Sequence, residues 1–161
     1  MASVKELLNE IQWKDCKTFV PRVDFGKVIK VYDGDSITVA TMFKDSAHAG
    51  IYRFSVRLTG IDTPEMRTQN LDEKKVAQFV QQKLEERLLG KFVTLKNVEL
   101  EKYGRLLCDV YLEGSDESIN EWLLTNNFAV KYDGGTKKSP DSWVDYLELK
   151  HTLCNFNTFK I

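Results

Sequence analysis

Between Phe25 and Gly60 the chain runs through three short stretches of alternating apolar and polar residues, and the breaks between them suit only antiparallel neighbours. Phe25 to Val31 is rich in β-branched residues. Asp33-Gly34 is a two-residue hairpin signal, and Ser36 to Phe43 returns with Ile37, Val39 and Thr41 on one face. After a polar loop at 44–50, Ile51 to Gly60 sets Phe54, Val56 and Leu58 against Arg53, Ser55, Arg57 and Thr59. Three strands joined by hairpins form a meander.

The second half of the chain decides the architecture. Pro64 ends the strand run. With Asn70 as a cap, residues 72–89 place Val76, Phe79, Val80, Leu84 and Leu88 at helical spacing, and Gly90 stops them. Residues 91–98 and 106–112 read as two more strands around a turn at Lys102–Arg105. Ser118 caps a short helix through Asn126 that buries Ile119, Trp122 and Leu123. Asp133-Gly134-Gly135-Thr136 is a glycine loop. A last helix opens at Pro140 or Asp141, with Trp143, Val144, Leu147 and Leu149 as core contacts. The order predicts an α+β domain on a five-stranded OB-fold β-barrel, with one helix between strands three and four and two at the C-terminal end. Val4, Leu7, Leu8 and Ile11 repeat at helical spacing and predict a leader helix, either docked on the domain, which is the favoured reading, or held out as a partner-binding appendage. Residues 1–22 are therefore read as a leader and 23–161 as a single domain.

The chain carries 23 Lys and Arg against 24 Asp and Glu, a net charge of -1, so any hold on a polyanion must come from a local basic patch or from metal ions. Cys16, Cys108 and Cys154 fit no zinc spacing and read as thiols of a reducing compartment. The N-terminal stretch is too charged for a signal peptide, and no apolar run reaches membrane-spanning length. The expectation is an intracellular monomer with no membrane association.

Three segments carry the chemistry: Asp33-Gly34-Asp35, Arg57 through Glu65, and Lys102-Tyr103-Gly104-Arg105. Asp35 opens the second strand and Asp62 follows the third, so hairpin pairing puts both at one end of the sheet. Two carboxylates at one rim stay charged only if a cation neutralises them, and such oxygen ligands suit Ca²⁺ or Mg²⁺. Asp33 is the first residue of the turn and reads as a turn cap. Arg57 lies opposite the apolar face and reads either as a solvated arginine or as a phosphate grip. Arg105 can fork onto a phosphate where lysine would offer a point charge. Pro64 holds Glu65 apart from Asp62, leaving Glu65 free to take a proton from an attacking water. Tyr103 and Tyr132 are weaker candidates for stacking on bases.

These three segments resemble the signature of the staphylococcal nuclease, or thermonuclease, family, and the likeness spans about residues 24–155. The resemblance implies a calcium-dependent nuclease that hydrolyses phosphodiester bonds in DNA, RNA or both and leaves 3′-phosphate ends. It implies one Ca²⁺ ion held by Asp35, Asp62 and the Thr63 carbonyl, with Glu65 as general base. Arg57 and Arg105 match the phosphate-gripping arginines, and Lys102, Tyr103 and Tyr132 the nucleotide contacts. The competing expectation is a catalytically weak or inactive module that binds nucleic acid or a protein partner. A bare OB-fold single-strand binder is disfavoured by the near-zero net charge.

Overall fold

The protein is described by a computed structural model over residues 3–45 and 47–151. Strands β1 (Phe25–Val31), β2 (Ser36–Phe43) and β3 (Gly50–Leu58) form the expected antiparallel meander. Helix α2 (Leu71–Leu88) comes next, after the two-residue strand β4 (Ile61–Asp62). Then come β5 (Phe92–Leu100), β6 (Leu106–Leu112), helix α3 (Ile119–Thr125), the two-residue β7 (Val130–Lys131) and helix α4 (Trp143–His151). The sheet closes in the order β1-β2-β3-β6-β5, with β3 and β6 paired in parallel. This is the five-stranded barrel read from the sequence.

Alternation along the strands sends Val28, Val39, Val56, Leu58, Val93 and Val110 inward, where all are fully buried. Helix α2 adds Val76, Val80, Leu84 and Leu88, each worth about 1.5–3 kcal/mol relative to exposure. Asn70 caps α2 by accepting from the amides of Asp72 and Glu73, and Ser118 forms a capping box at α3. Buried Asn120 has no distinguishing pattern in the sequence, yet it joins two elements. Its Nδ2 donates to the Thr59 carbonyl at 2.8 Å and its Oδ1 accepts from the Val110 amide at 3.1 Å, tying α3 to the end of the parallel pair. Among the described residues no helix is long and apolar enough to cross a membrane.

Three expectations need correction. The leader does form a helix, α1 (Val4–Asn9), but it is not docked: Val4, Leu7, Leu8 and Ile11 are all exposed. Six residues with one Ser3 capping box satisfy themselves locally, and the stripe is too short to bury much area. Leu149 is exposed at 79%, while Trp143 and Leu147 on the opposite side of α4 are core. The Asp33-Gly34 turn is not a two-residue hairpin. Pairing stops at Val31 and Ile37, with the Tyr32 amide donating to the Ser36 carbonyl, so the loop spans 32–35. Of the thiols, Cys16 is exposed, Cys108 is buried, and Cys154 lies outside the described residues.

Gly34 is needed there for a different reason. A Cβ on it would come within 2.8 Å of Thr63 Oγ1 and 2.9 Å of Val80 Cγ1. Gly34→Ala is expected to destabilise the protein by about 1–3 kcal/mol in urea melts, because α2 and the Thr63 segment must both give way. A melt indistinguishable from wild type would show that this packing is loose.

Candidate active site

The barrel register brings the acidic and basic side chains together. Ser36 pairs with Arg57 across β2 and β3, and the Leu58 amide donates to the Asp35 carbonyl at 2.9 Å, which sets Asp35 beside the end of β3. The short β4–β7 ladder, with Asp62 opposite Val130, fixes Asp62 at the same rim. Arg57 lies between the two. Its Nη1 is 2.6 Å from Asp35 Oδ2, and its Nη2 is 3.4 Å from both Asp62 Oδ1 and the Ile61 carbonyl. All three side chains are largely buried, so Arg57 is an ion-paired residue of the site and not a solvated arginine.

Burial dominates the electrostatics of Asp35. It pushes the pKa up to about 6, against the pull of Arg57 and with help from the nearby Asp33 carboxylate. Asp33 behaves as a turn cap, its Oδ1 accepting from the Asp35 amide at 3.2 Å. Ser36 Oγ donates to Asp35 Oδ1 at 2.9 Å. Thr63 is buried, and Glu65 follows Pro64 with its side chain exposed. A cleft of about 350 Å³ has Tyr32, Asp35, Arg57, Thr63, Glu65 and Arg67 among its walls.

Sequence reasoning misses Lys137. It arrives on the loop after β7, with Nζ 3.0 Å from Asp62 Oδ1 and in contact with Glu65 Oε1. Burial works against its charge, but hydrogen bonds to Glu65 and Asp62 outweigh that and leave its pKa raised. Its one sequence signal is a lysine pair after the glycine loop, with nothing to say which carboxylates it meets.

Arg105 lies on β6's approach, one strand across from Arg57. In the parallel register Arg57 pairs with Leu107, two residues further along, so both arginines share the outer face. Arg105 forks onto Glu101, with Nε to Oε2 at 2.6 Å and Nη2 to Oε1 at 2.9 Å. Gly104, at φ +83°, makes the tight turn that brings the pair together. These bonds hold the Glu101 carboxyl below its ordinary range, with further attraction from Arg57 and Lys102. Lys102 and Tyr103 stay on this turn outside the cleft. Tyr103 is 74% exposed, and the Lys102 ammonium is 5.0 Å from its ring centroid. Tyr132 is not gathered with the set. Its hydroxyl donates to the Gly135 carbonyl, and it lines a separate cavity of about 610 Å³ with Thr59, Gly60 and Asp109.

Among the described residues no group of three or more His, Cys, Asp or Glu side chains is placed to hold a metal ion. The oxygen donors at the rim are the carboxylates of Asp35 and Asp62, with buried Thr63 in the same cleft wall. The Lys137 ammonium on Asp62 and Glu65 marks the rim as a place where positive charge is accommodated. A donor set this small and this hard fits a cation that keeps part of its hydration shell.

The pattern of the staphylococcal nuclease homologue family matches residues 55–150. An uncharacterized protein of Bacillus anthracis is 32% identical over 108 residues, covering 65% of this chain and 46% of the relative. This chain therefore spans about half the length of the curated relative it matches. With well over half of its length matched by the family pattern and a closed five-stranded barrel beneath it, the chain belongs to the staphylococcal nuclease homologue family.

Proposed function

We propose that this protein is a calcium-dependent nuclease that hydrolyses phosphodiester bonds of DNA or RNA and leaves 3′-phosphate ends. The observation that carries the reading is Arg57 held between buried Asp35 and Asp62 at 2.6 and 3.4 Å, in a cleft shared with Glu65. Asp35, Asp62 and the Thr63 carbonyl would hold one Ca²⁺ ion. When bound, the ion would supply Lewis-acid polarisation of a phosphoryl oxygen.

The remaining steps belong to the chain. Arg57 donates to phosphate oxygens and stabilises the charge that grows on them as water attacks phosphorus. Glu65 takes the proton from that water, a new P–O bond forms, and the bond to the 5′-oxygen breaks, the departing oxygen taking a proton from solvent water to leave as a hydroxyl. Lys137 stays within reach of Glu65 and orients its carboxylate. Arg105 joins only by exchanging Glu101 for a phosphate, a trade between two bidentate partners of similar geometry.

A second reading is a module that binds nucleic acid without cutting it. It draws on the same pairings: Lys137 already satisfies Glu65, and Glu101 already satisfies Arg105. One assay separates the two. Plasmid DNA and RNA are incubated with Ca²⁺, with Mg²⁺ and with chelator, and the ends are mapped. Cleavage with Ca²⁺ that stops in chelator and leaves 3′-phosphates is expected. Binding without cleavage under every condition would leave the second reading standing.

A further inference from the structure

A chain with net charge -1 carries four basic residues and no acidic one in β1, β2 and β3. Lys27, Lys30, Arg53 and Arg57 are those four, and the register puts all of them on the barrel's outer face. Lys27 pairs with Ala40, which pairs with Arg53. Lys30 pairs with Thr38, which pairs with Ser55. Ser36 pairs with Arg57. Lys27 and Lys30 are three residues apart and would point to opposite faces of a regular strand. A bulge between Val28 and Lys30 brings them to the same side. Between the cations lie only small or hydroxylated side chains, namely Ser36, Thr38, Ala40 and Ser55.

This face forms a groove of about 670 Å³ whose walls include Lys30, Tyr32, Thr38, Arg53, Ser55 and Arg105. Among the described residues neither Lys30 nor Arg53 has an acidic partner within 4 Å. The groove adjoins the candidate active site, with Tyr32 lining both. Tyr32 is 52% exposed, its hydroxyl accepts from Arg67 at 3.2 Å, and the Lys30 ammonium is 5.5 Å from its ring.

We infer that the outer face of β1–β3 is an extended binding track for single-stranded nucleic acid leading into the cleft. Lys30 and Arg53 would take backbone phosphates beyond the scissile one, and Tyr32 would stack on a base between them. Arg53 and Arg57 are four residues apart on one strand, about 13 Å, so the track is built for a chain and not for a single phosphate. An exposed ring offers stacking only to an unpaired base, which points to single strands. The inference deepens the nuclease reading by naming the substrate's form, and its test does not depend on hydrolysis.

The test is fluorescence anisotropy of a labelled oligothymidylate 12-mer and of a 12-base-pair duplex, in chelator, across a salt series. Wild type is compared with the double variant Lys30→Gln/Arg53→Gln, whose two positions are both exposed and outside the core. Each lost phosphate contact lowers the single-strand salt slope by about 0.7, so the slope should fall by about 1.4 and affinity roughly 10- to 30-fold at 0.1 M salt. The duplex should bind more weakly than the single strand. An unchanged slope, equal losses for duplex and single strand, or no 12-mer binding by wild type would overturn the track. If the slope falls as expected but wild type cuts nothing with Ca²⁺, the track stands and the hydrolytic reading falls. If wild type cuts but the slope is unchanged, the hydrolytic reading stands and the track falls.

Discussion

Asp35→Asn is expected to make the metal-free protein more stable at neutral pH while abolishing cation-dependent cleavage. Burial raises the Asp35 pKa from 3.8 to about 6, so between those values the folded state holds a proton that the unfolded chain has already released. Below about pH 4 both states are protonated and the group costs nothing. As pH rises from about 4 to about 6 the folded state is progressively penalised. Above that the full cost is present, on the order of 3 kcal/mol.

Asparagine removes this charge but leaves Arg57 Nη1 without its ion pair at 2.6 Å. The net gain should therefore be about 1–2 kcal/mol at pH 8, and because only wild type titrates here it should turn into a loss of about 1–2 kcal/mol near pH 4. Urea melts in chelator at both pH values measure it. A variant less stable than wild type at pH 8 would mean that the Arg57 pair outweighs the burial cost. Added Ca²⁺ should reverse the ranking. Wild type gains about 2.7 kcal/mol at a hundredfold excess over Kd, and the variant gains little. A buried carboxylate that costs stability until a cation arrives is what a binding site looks like, and it is why such a group would persist in a core-facing position.

The parts of this molecule legible in the sequence are those set by local pattern. Alternation in β1–β3 and hairpin pairing are enough to place Asp35 and Asp62 at one rim, because antiparallel register follows from short connections. Caps at Asn70 and Ser118 are readable for the same reason. The misses share a different origin. Lys137 meets Glu65 across 72 residues of chain, and no periodicity encodes a contact of that separation. Gly34 looks like a turn glycine, yet what requires it is close approach to Thr63 and to Val80 on α2. The stripe at Val4, Leu7, Leu8 and Ile11 predicts a docked helix, but amphipathicity says only that a face seeks cover, not that this domain supplies it. Glu101 and Arg105 are four apart and could be paired by inspection. The value of an arginine as a phosphate ligand hides its nearer partner.

Arg57→Ala should lower the rate of cleavage by at least 10²–10³-fold, the scale of one strong electrostatic contact to a developing negative charge. The structure adds a second expected consequence. Asp35 and Asp62 are buried at 4% and 3% exposure, and Arg57 is the guanidinium they share. Removing one partner of a buried pair costs roughly 3–5 kcal/mol, and this case should fall near the bottom of that range. Lys137 still neutralises Asp62, and Asp35 can escape its charge by taking up a proton. The loss should therefore be smaller at pH 5 than at pH 8, and Ca²⁺ should restore part of the stability but none of the rate. Arg57→Lys separates the two roles. Its ammonium keeps a positive charge beside the acids, so much of the stability returns. It cannot fork to both carboxylates and a phosphate, so the rate stays low. Cleavage within tenfold of wild type in Arg57→Ala would remove Arg57 from the chemistry and leave it a purely structural clamp between two acids.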